Sequence, residues 1–220
     1  MVRPLELLLD LLYPPRCAFC GALLDSGRAG LCPACRRDLP WLSGPEAEQS
    51  GADLSFTLCV SPLRYQGKVR EAIHRYKFEG CPGRAAAFGP LIARCVSEHL
   101  AGQYDRITWA PLSPKRKRKR GYDQAYLLAR AAAKELGTAP VGLLRKVRHT
   151  AAQSGLSEAG DRRANVKGAY EVPDPALVQG KRILLIDDVV TTGSTLSECA
   201  GALREAGAEA VVCAALARAH

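Results

Sequence analysis

Along this chain the apolar positions change period several times, and each change marks a strand or a helix. Residues 183–186, Ile-Leu-Leu-Ile, are aliphatic without alternation, the pattern of a strand buried on both faces of a parallel sheet. From Thr195 the spacing becomes helical, with Leu196, Cys199, Leu203 and Ala206 on one face and Gly207 to stop it. The same reading predicts a strand over 54–60 and a helix over 68–78 with Val69, Ala72, Ile73 and Tyr76 on one face. It continues with a helix over 85–100, a strand over 107–110 ending at Pro111, and a helix over 124–136 closed by Gly137. Leu143 and Leu144 begin a short strand, residues 170–172 form another, and 210–217 form a last buried one. Strands alternating with helices predict an α/β fold with a parallel, doubly wound sheet. Residues 43–53 are polar and rich in turn formers, as in a linker or loop. Residues 145–169 have little periodicity and are long for a loop, which predicts a mobile, functional segment.

Composition adds bounds to this picture. The 220 residues suffice for one substantial α/β domain and a small module, and 47% of them are hydrophobic, enough for a core. No apolar run approaches the roughly 20 residues of a membrane span. The leucine-rich stretch 5–12 is interrupted by Glu6 and Asp10 and has no small-residue cleavage site, so it reads as a short amphipathic helix packing on its neighbour. Cys59, Cys95, Cys199 and Cys213 fall in apolar periodic segments as core thiols, and Cys81 sits in a Gly/Pro turn. Nothing in the nine cysteines demands disulfides, which fits a reducing cytoplasm. The net charge of +9 is uneven: residues 1–110 hold 13 Lys/Arg against 11 Asp/Glu, and residues 111–220 hold 18 against 11.

The apolar strand at 183–186 runs into two adjacent carboxylates, Asp187 and Asp188, and then into Val190-Thr191-Thr192-Gly193-Ser194-Thr195. Open α/β sheets bind ligands where a strand's carboxyl end meets a helix N-terminus. Unpaired backbone N–H groups and the helix dipole favour an anion there, Gly193 permits close backbone approach, and the four hydroxyls add donors. The carboxylates can accept hydrogen bonds from a ribose cis-diol, so the whole suits a sugar phosphate. It is not a Walker A loop, because it has no lysine. An ordinary helix cap accounts for Ser194 and Thr195 but not for two side-by-side acids at the end of a buried strand, where desolvation and repulsion both cost stability.

Cys17-x-x-Cys20 and Cys32-x-x-Cys35 are two knuckles separated by 11 residues. Together they supply four thiolates for one tetrahedral Zn2+. A closed four-thiolate site has no open position for chemistry and is structural.

Two basic stretches flank this chemistry. Residues 115–120 are six consecutive cations following Pro111-Leu112-Ser113-Pro114, again between a strand end and a helix start. They fit a pyrophosphate, a nucleic acid or plain solvent. The 145–170 segment carries further cations able to close over a ligand and neutralise a leaving group. Lys77, near the end of the 68–78 helix, either complements the helix dipole or faces the substrate.

The 186–195 run resembles the PRPP-binding signature of type I phosphoribosyltransferases. The Leu-Leu-Asp-Leu-Leu-Tyr-Pro-Pro-Arg-Cys run at 8–17, the Lys-Arg-Gly-Tyr-Asp-Gln segment at 119–124 and the spaced Arg145, Thr150, Gln153 and Leu156 make the whole similar to the ComF family, over nearly the full chain. The basic run here is richer than is usual for the family. The resemblance implies a zinc module at 1–45, a phosphoribosyltransferase-like domain at 46–220 and a hood at about 145–170. It implies Asp187 and Asp188 as catalytic acids on the ribose of PRPP or another ribose-5-phosphate ligand. Val190, Thr191, Thr192, Gly193, Ser194 and Thr195 would hold the 5′-phosphate. Leu112, Ser113, Lys115, Arg116, Arg120 and Lys77 would face the pyrophosphate, and Arg145, Thr150, Gln153 and Arg162 would belong to the hood. Mg2+ would accompany PRPP, and a nitrogen acceptor would displace pyrophosphate. A non-catalytic PRPP sensor that binds single-stranded DNA or DNA-uptake proteins is the alternative. A glutamine-dependent amidophosphoribosyltransferase is not expected, since position 2 is Val2 and no glutaminase domain fits.

Overall fold

The computed structural model describes residues 14–24, 30–147 and 168–219. Helices are α1 (Pro33–Asp38), α2 (Gly67–Phe78), α3 (Ala85–His99), α4 (Pro114–Arg120), α5 (Gln124–Glu135) and α6 (Ser194–Glu205). Strands are β1 (Glu48–Gln49), β2 (Cys59–Val60), β3 (Leu63–Arg64), β4 (Arg106–Trp109), β5 (Arg145–Lys146), β6 (Tyr170–Glu171), β7 (Arg182–Val190) and β8 (Ala210–Arg218). The main sheet has the order β1-β2-β8-β7-β4, with β3 also pairing β8. All its pairings are parallel except β1 with β2. β5 and β6 form a separate antiparallel ribbon.

Strand parity sorts the core into two layers. Leu184 and Ile186 of β7, with Val212, Ala214 and Leu216 of β8, belong to a cluster that includes residues of α2, α3, α5 and the cysteine segment. Ile183, Leu185, Val211, Cys213 and Ala215 face the other way, toward α6 and Tyr170. This covering of both faces explains the unbroken apolar runs. Against the first face α3 and α5 pack backbone to backbone: a Cβ on Gly89 would come 2.3 Å from that of Ala131.

The expected helices at 68–78, 85–100, 124–136 and from 195 are present, as are the strands at 107–110, 170–172 and 210–217, each within a residue or two. Other expectations change. β7 does not end at the acids but carries them and runs on to Val190, because Val189 and Val190 still pair with Ala217 and Arg218. The strand expected over 54–60 is regular only at Cys59–Val60. Upstream, Ser55 turns aside so that its amide donates to the Ser197 hydroxyl (N to Oγ 3.0 Å), and Phe56 is buried against Gly193. Part of the expected linker is the edge strand β1, and Glu48 there meets His99 at 2.9 Å. The strand begun by Leu143 and Leu144 is registered at Arg145–Lys146 instead. The basic run 115–120 is no loop but helix α4, with Ser113 as N-cap, Pro114 at the first turn and Gly121 at φ 84° as its left-handed stop. The 5–12 helix lies outside the described residues.

Candidate active site and metal centre

β7 brings its two acids to opposite faces of the sheet, since successive side chains alternate. Asp188, 4% exposed, has the parity of Leu184 and Ile186. There the end of α2 delivers Lys77, whose Nζ lies 2.6 Å from Asp188 Oδ1. Asp188 Oδ2 is buried and has no partner among the described residues. Asp187 has the parity of Leu185 and accepts a hydrogen bond from the Asp188 amide at 2.8 Å. Burial and then the Asp188 charge push the Asp187 carboxyl up to about 8, against the pull of Lys77. Such an acid is held in a costly state that a cation or hydroxyl donors would relieve.

The loop after β7 is shaped for an anion. Gly193 is left-handed at φ 77° and leads directly into α6. Thr192 Oγ1 and Ser194 Oγ share a hydrogen bond of 2.7 Å, and the Ser194 amide reaches Thr192 Oγ1 at 3.4 Å. Val190 is buried, whereas Thr191, Thr192 and Thr195 keep partial exposure. Leu54 and Phe56 support Gly193 from below, each 3.4 Å from where a Cβ would stand.

The neighbouring strand β4 ends beside this loop, with the Ala110 amide donating to the Ile186 carbonyl at 3.0 Å. The following turn is fixed by Asp123, whose carboxylate accepts from the Leu112 amide (3.1 Å) and the Tyr126 amide (3.2 Å). Burial raises the Asp123 carboxyl. Ser113 is buried at the start of α4. Of the six cations, Arg116 and Arg120 are partly buried, one turn apart on the inner side; Lys115, Lys117, Arg118 and Lys119 are exposed. Of the residues expected to face a pyrophosphate, Lys77 contacts the acid pair, at Asp188; Leu112, Arg116 and Arg120 are half-buried and Ser113 buried, and Lys115 is exposed.

At the β5–β6 ribbon Arg145 is exposed and pairs with Glu171, Nε to Oε1 2.8 Å. Its neighbour Lys146 turns inward instead, buried, with Nζ 3.0 Å from the Tyr170 hydroxyl and 4.7 Å from that ring's centroid. Burial, then the nearby Arg116 charge, bring the Lys146 amine down to about 8, against the pull of Cys199 and Asp187. Lys146 was not singled out from sequence; strand alternation next to exposed Arg145 was the available signal. Asp123 was likewise missed, although its place just before an apolar helical run is an N-cap signature. Thr150, Gln153 and Arg162 lie outside the described residues.

The four cysteines Cys17, Cys20, Cys32 and Cys35 converge with all sulfurs within 4.8 Å of one another. Cys20 and Cys32 sulfurs are 3.6 Å apart, close to the edge of a tetrahedron with Zn–S bonds of about 2.3 Å. Gly21, left-handed at φ 77°, closes the first knuckle, and Cys32 caps α1. Burial opposes thiolate formation at Cys17, but backbone donors at Cys20, Cys32 and Phe19 prevail and bring it down to about 6. The soft, crowded donor set fits zinc. Arg75 of α2 and Arg84 donate to the carbonyls of Phe19 and Ala18, fastening this knuckle to the helical layer.

A mostly parallel α/β sheet with an acid pair on β7 and a Thr/Gly/Ser loop directly after it, joined to a four-cysteine ribbon, defines a type I phosphoribosyltransferase fold with a zinc module. Residues 123–220 match the phosphoribosyl transferase domain model, and residues 8–62 match the double zinc ribbon domain model. The chain is 30% identical to Competence protein F of Haemophilus influenzae, covering 93% of this chain and 97% of that one. It is 34% identical to DNA utilization protein YhgH of Salmonella typhimurium, covering 89% and 86%. It overlaps a phosphoribosylpyrophosphate synthetase structure from Mycobacterium smegmatis at 22% identity over 59% of this chain and 33% of that one, with a TM-score of 0.39. The chain belongs to the ComF family. Among the described residues no helix is long and apolar enough to cross a membrane.

Proposed function

We propose that this protein binds PRPP with Mg2+ and transfers its phosphoribosyl group to a nitrogen acceptor, releasing pyrophosphate, in the cytoplasm. The observation that carries the reading is the acid pair on β7, Asp188 buried and Asp187 half-buried, followed by the Gly193 turn and the start of α6. In this reading Asp187 and Asp188 accept the ribose hydroxyls and stabilise positive charge developing at the anomeric carbon. The amides and hydroxyls of 191–195 hold the 5′-phosphate. Lys77 leaves Asp188 for the ligand and, with Arg116, Arg120 and the Leu112–Ser113 turn, steadies the departing pyrophosphate. Hard carboxylate oxygens, one of them buried without a partner among the described residues, suit a Mg2+–ligand complex. The ion would supply charge neutralisation for the leaving group. Residues 1–45 serve as a structural zinc module beside the 46–220 body, and the segment about 145–170, with Arg145, Thr150, Gln153 and Arg162, forms the hood.

The test is calorimetric titration with PRPP and Mg2+, together with pyrophosphate release screened across nucleobases and amines. Binding and release, both lost in Asp187→Asn/Asp188→Asn, are expected. PRPP bound without release for any acceptor, with wild type and the double variant alike, would overturn transfer.

A second reading follows from the four outward cations of α4 and from the names of the relatives, a competence protein and a DNA utilization protein: a partner of single-stranded DNA or of DNA-uptake proteins, using PRPP as a signal. It requires oligonucleotide binding with a steep salt dependence.

A further inference from the structure

Beside the ribose acids stands an aromatic ring that the roles above do not use. Phe78 closes α2 and is 60% exposed. A lone apolar side chain at a surface needs no explanation. Three observations set Phe78 apart. The Arg120 guanidinium lies over it, 4.9 Å from the ring centroid. The His74 ring, one helical turn back, lies 4.9 Å from it and tilted by 47°. Arg120 Nη1 is buried and has no hydrogen-bond partner among the described residues. A buried guanidinium N–H without an acceptor is costly, so the arrangement is one acceptor short.

The neighbours fix where this ring and cation sit. Lys77, one residue before Phe78, reaches Asp188 at 2.6 Å. Tyr122, two residues after Arg120, donates its hydroxyl to the Tyr76 carbonyl. The end of α2 and the end of α4 are thereby tied together at the edge of the acid pair. Arg120 gives a planar cation held by a ring, the pre-ordered form in which guanidinium groups stack and donate. Phe78 offers π-surface to solvent.

We propose that Phe78 and Arg120 form a stacking shelf for a planar heteroaromatic base at the mouth of the ribose-phosphate site. The base stacks on Phe78, and Arg120 Nη1 donates to an oxygen of the same ligand. The shelf adds a base-recognising wall to the site read above and rests on that reading for its place beside the ribose. Such a base reaches the shelf from two sources, a free nucleotide or a single strand of DNA, with the same chemistry.

The test uses the full chain loaded with zinc and three probes: PRPP with Mg2+, uridine monophosphate, and an oligothymidylate of about 12 nucleotides, within the site sizes of strand-binding folds. Phe78→Ala should weaken binding of a base-bearing probe by on the order of 10-fold, the loss expected from one base–aromatic stack. Phe78→Trp should restore it and add fluorescence quenching beyond that of Trp41 and Trp109. PRPP affinity should fall by less than that of the base-bearing probes in Phe78→Ala, because Phe78 reaches the ribose-phosphate site only through Arg120, which also serves the pyrophosphate. Loss for both base-bearing probes assigns the shelf to a free nucleotide, and loss for the oligomer alone assigns it to a base in a strand; either supports it. Unchanged binding of both probes by Phe78→Ala, or no binding of either by wild type, overturns it. Failure of wild type to bind PRPP shows in its own arm and strikes the proposed function instead.

Discussion

Two adjacent parallel strands, β7 and β4, each lead into a helix at the same end of the sheet, and the two junctions achieve their electrostatics in opposite ways. At the β7 junction the charged groups stand where charge is expensive: Asp188 is 4% exposed, and Asp187 is pushed up to about 8 by burial and its neighbour. At the β4 junction six cations stand in a row, but four of them point to solvent, where they cost little and do little. The lesson is that local cost marks a ligand site better than charge density does. Two carboxyls and one lysine at close quarters on one side carry more information than six consecutive cations on the other.

The largest effect is expected at Asp188. Asp188→Asn removes the carboxylate that holds Lys77 at 2.6 Å and whose second oxygen has no partner among the described residues. Charge-assisted hydrogen bonds are worth about 1.5–3 kcal/mol each. PRPP affinity should therefore fall on the order of 100-fold by calorimetry. A loss under about 3-fold would put the β7 junction on a par with the β4 one.

Glycines compare the junctions next. Gly193 and Gly121 are both left-handed, at φ 77° and 84°. Alanine in that region costs about 1–2 kcal/mol. A Cβ on Gly121 meets nothing within 4 Å, whereas one on Gly193 stands 3.4 Å from Leu54 and Phe56. Both alanine variants should lose stability in urea titrations. Only Gly193→Ala should also weaken PRPP binding, since the left-handed strain then falls within the loop proposed to hold the 5′-phosphate. Equal affinities in the two variants would deny the loop its role.

The pH dependence of the β7 junction is a smaller effect. A free Asp titrates near 3.9, and Asp187 titrates near 8 in the fold. The folded state then binds more protons than the unfolded one between those values. The stabilising contribution is complete below about pH 4 and is lost as pH rises to about 8. Ligand binding, which favours the carboxylate, should release a proton near neutrality, detected as a dependence of calorimetric heat on the buffer's ionisation enthalpy. In Asp188→Asn that proton release should shrink, because one of the two causes of the raised value has been removed.

How legible these junctions were follows from the same contrast. The sheet and its long helices showed in the periodicity because both faces of β7 and β8 are buried. The acid pair, the Thr/Gly/Ser loop and the four-cysteine set showed because residue types and spacing sufficed. The course of the backbone past the acids did not, since extension to Val190 is decided by pairing with Ala217 and Arg218, distant in sequence. The turning aside of Ser55 depends on Ser197 in the same way. Helix α4 is marked by Ser113, Pro114 and Gly121, but its six consecutive cations carry no apolar periodicity that would signal a helix between those caps. Lys146 needed the ribbon pairing with Tyr170 before its inward direction could be known.

The smallest effect is expected where the sequence is loudest. Replacing Lys115, Lys117, Arg118 and Lys119 together by glutamine touches only the exposed side of α4. Stability should change by less than about 0.5 kcal/mol per site, as for ordinary surface substitutions. PRPP affinity should stay within about 2-fold, because exposed charges are screened over roughly 8–10 Å at physiological salt. Arg116→Gln alone should do more, since Arg116 is partly buried and burial already disfavours its charge. If single-stranded DNA is a partner, the quadruple variant should flatten the salt dependence of its binding by roughly 3 in log–log slope, at about 0.7 per lost contact. The two outcomes separate the sides of one short helix: the inner side would answer to the pyrophosphate and the outer side to a longer polyanion. A quadruple variant that lost PRPP instead would mean that charge density does mark the site, and the contrast between the two junctions would collapse.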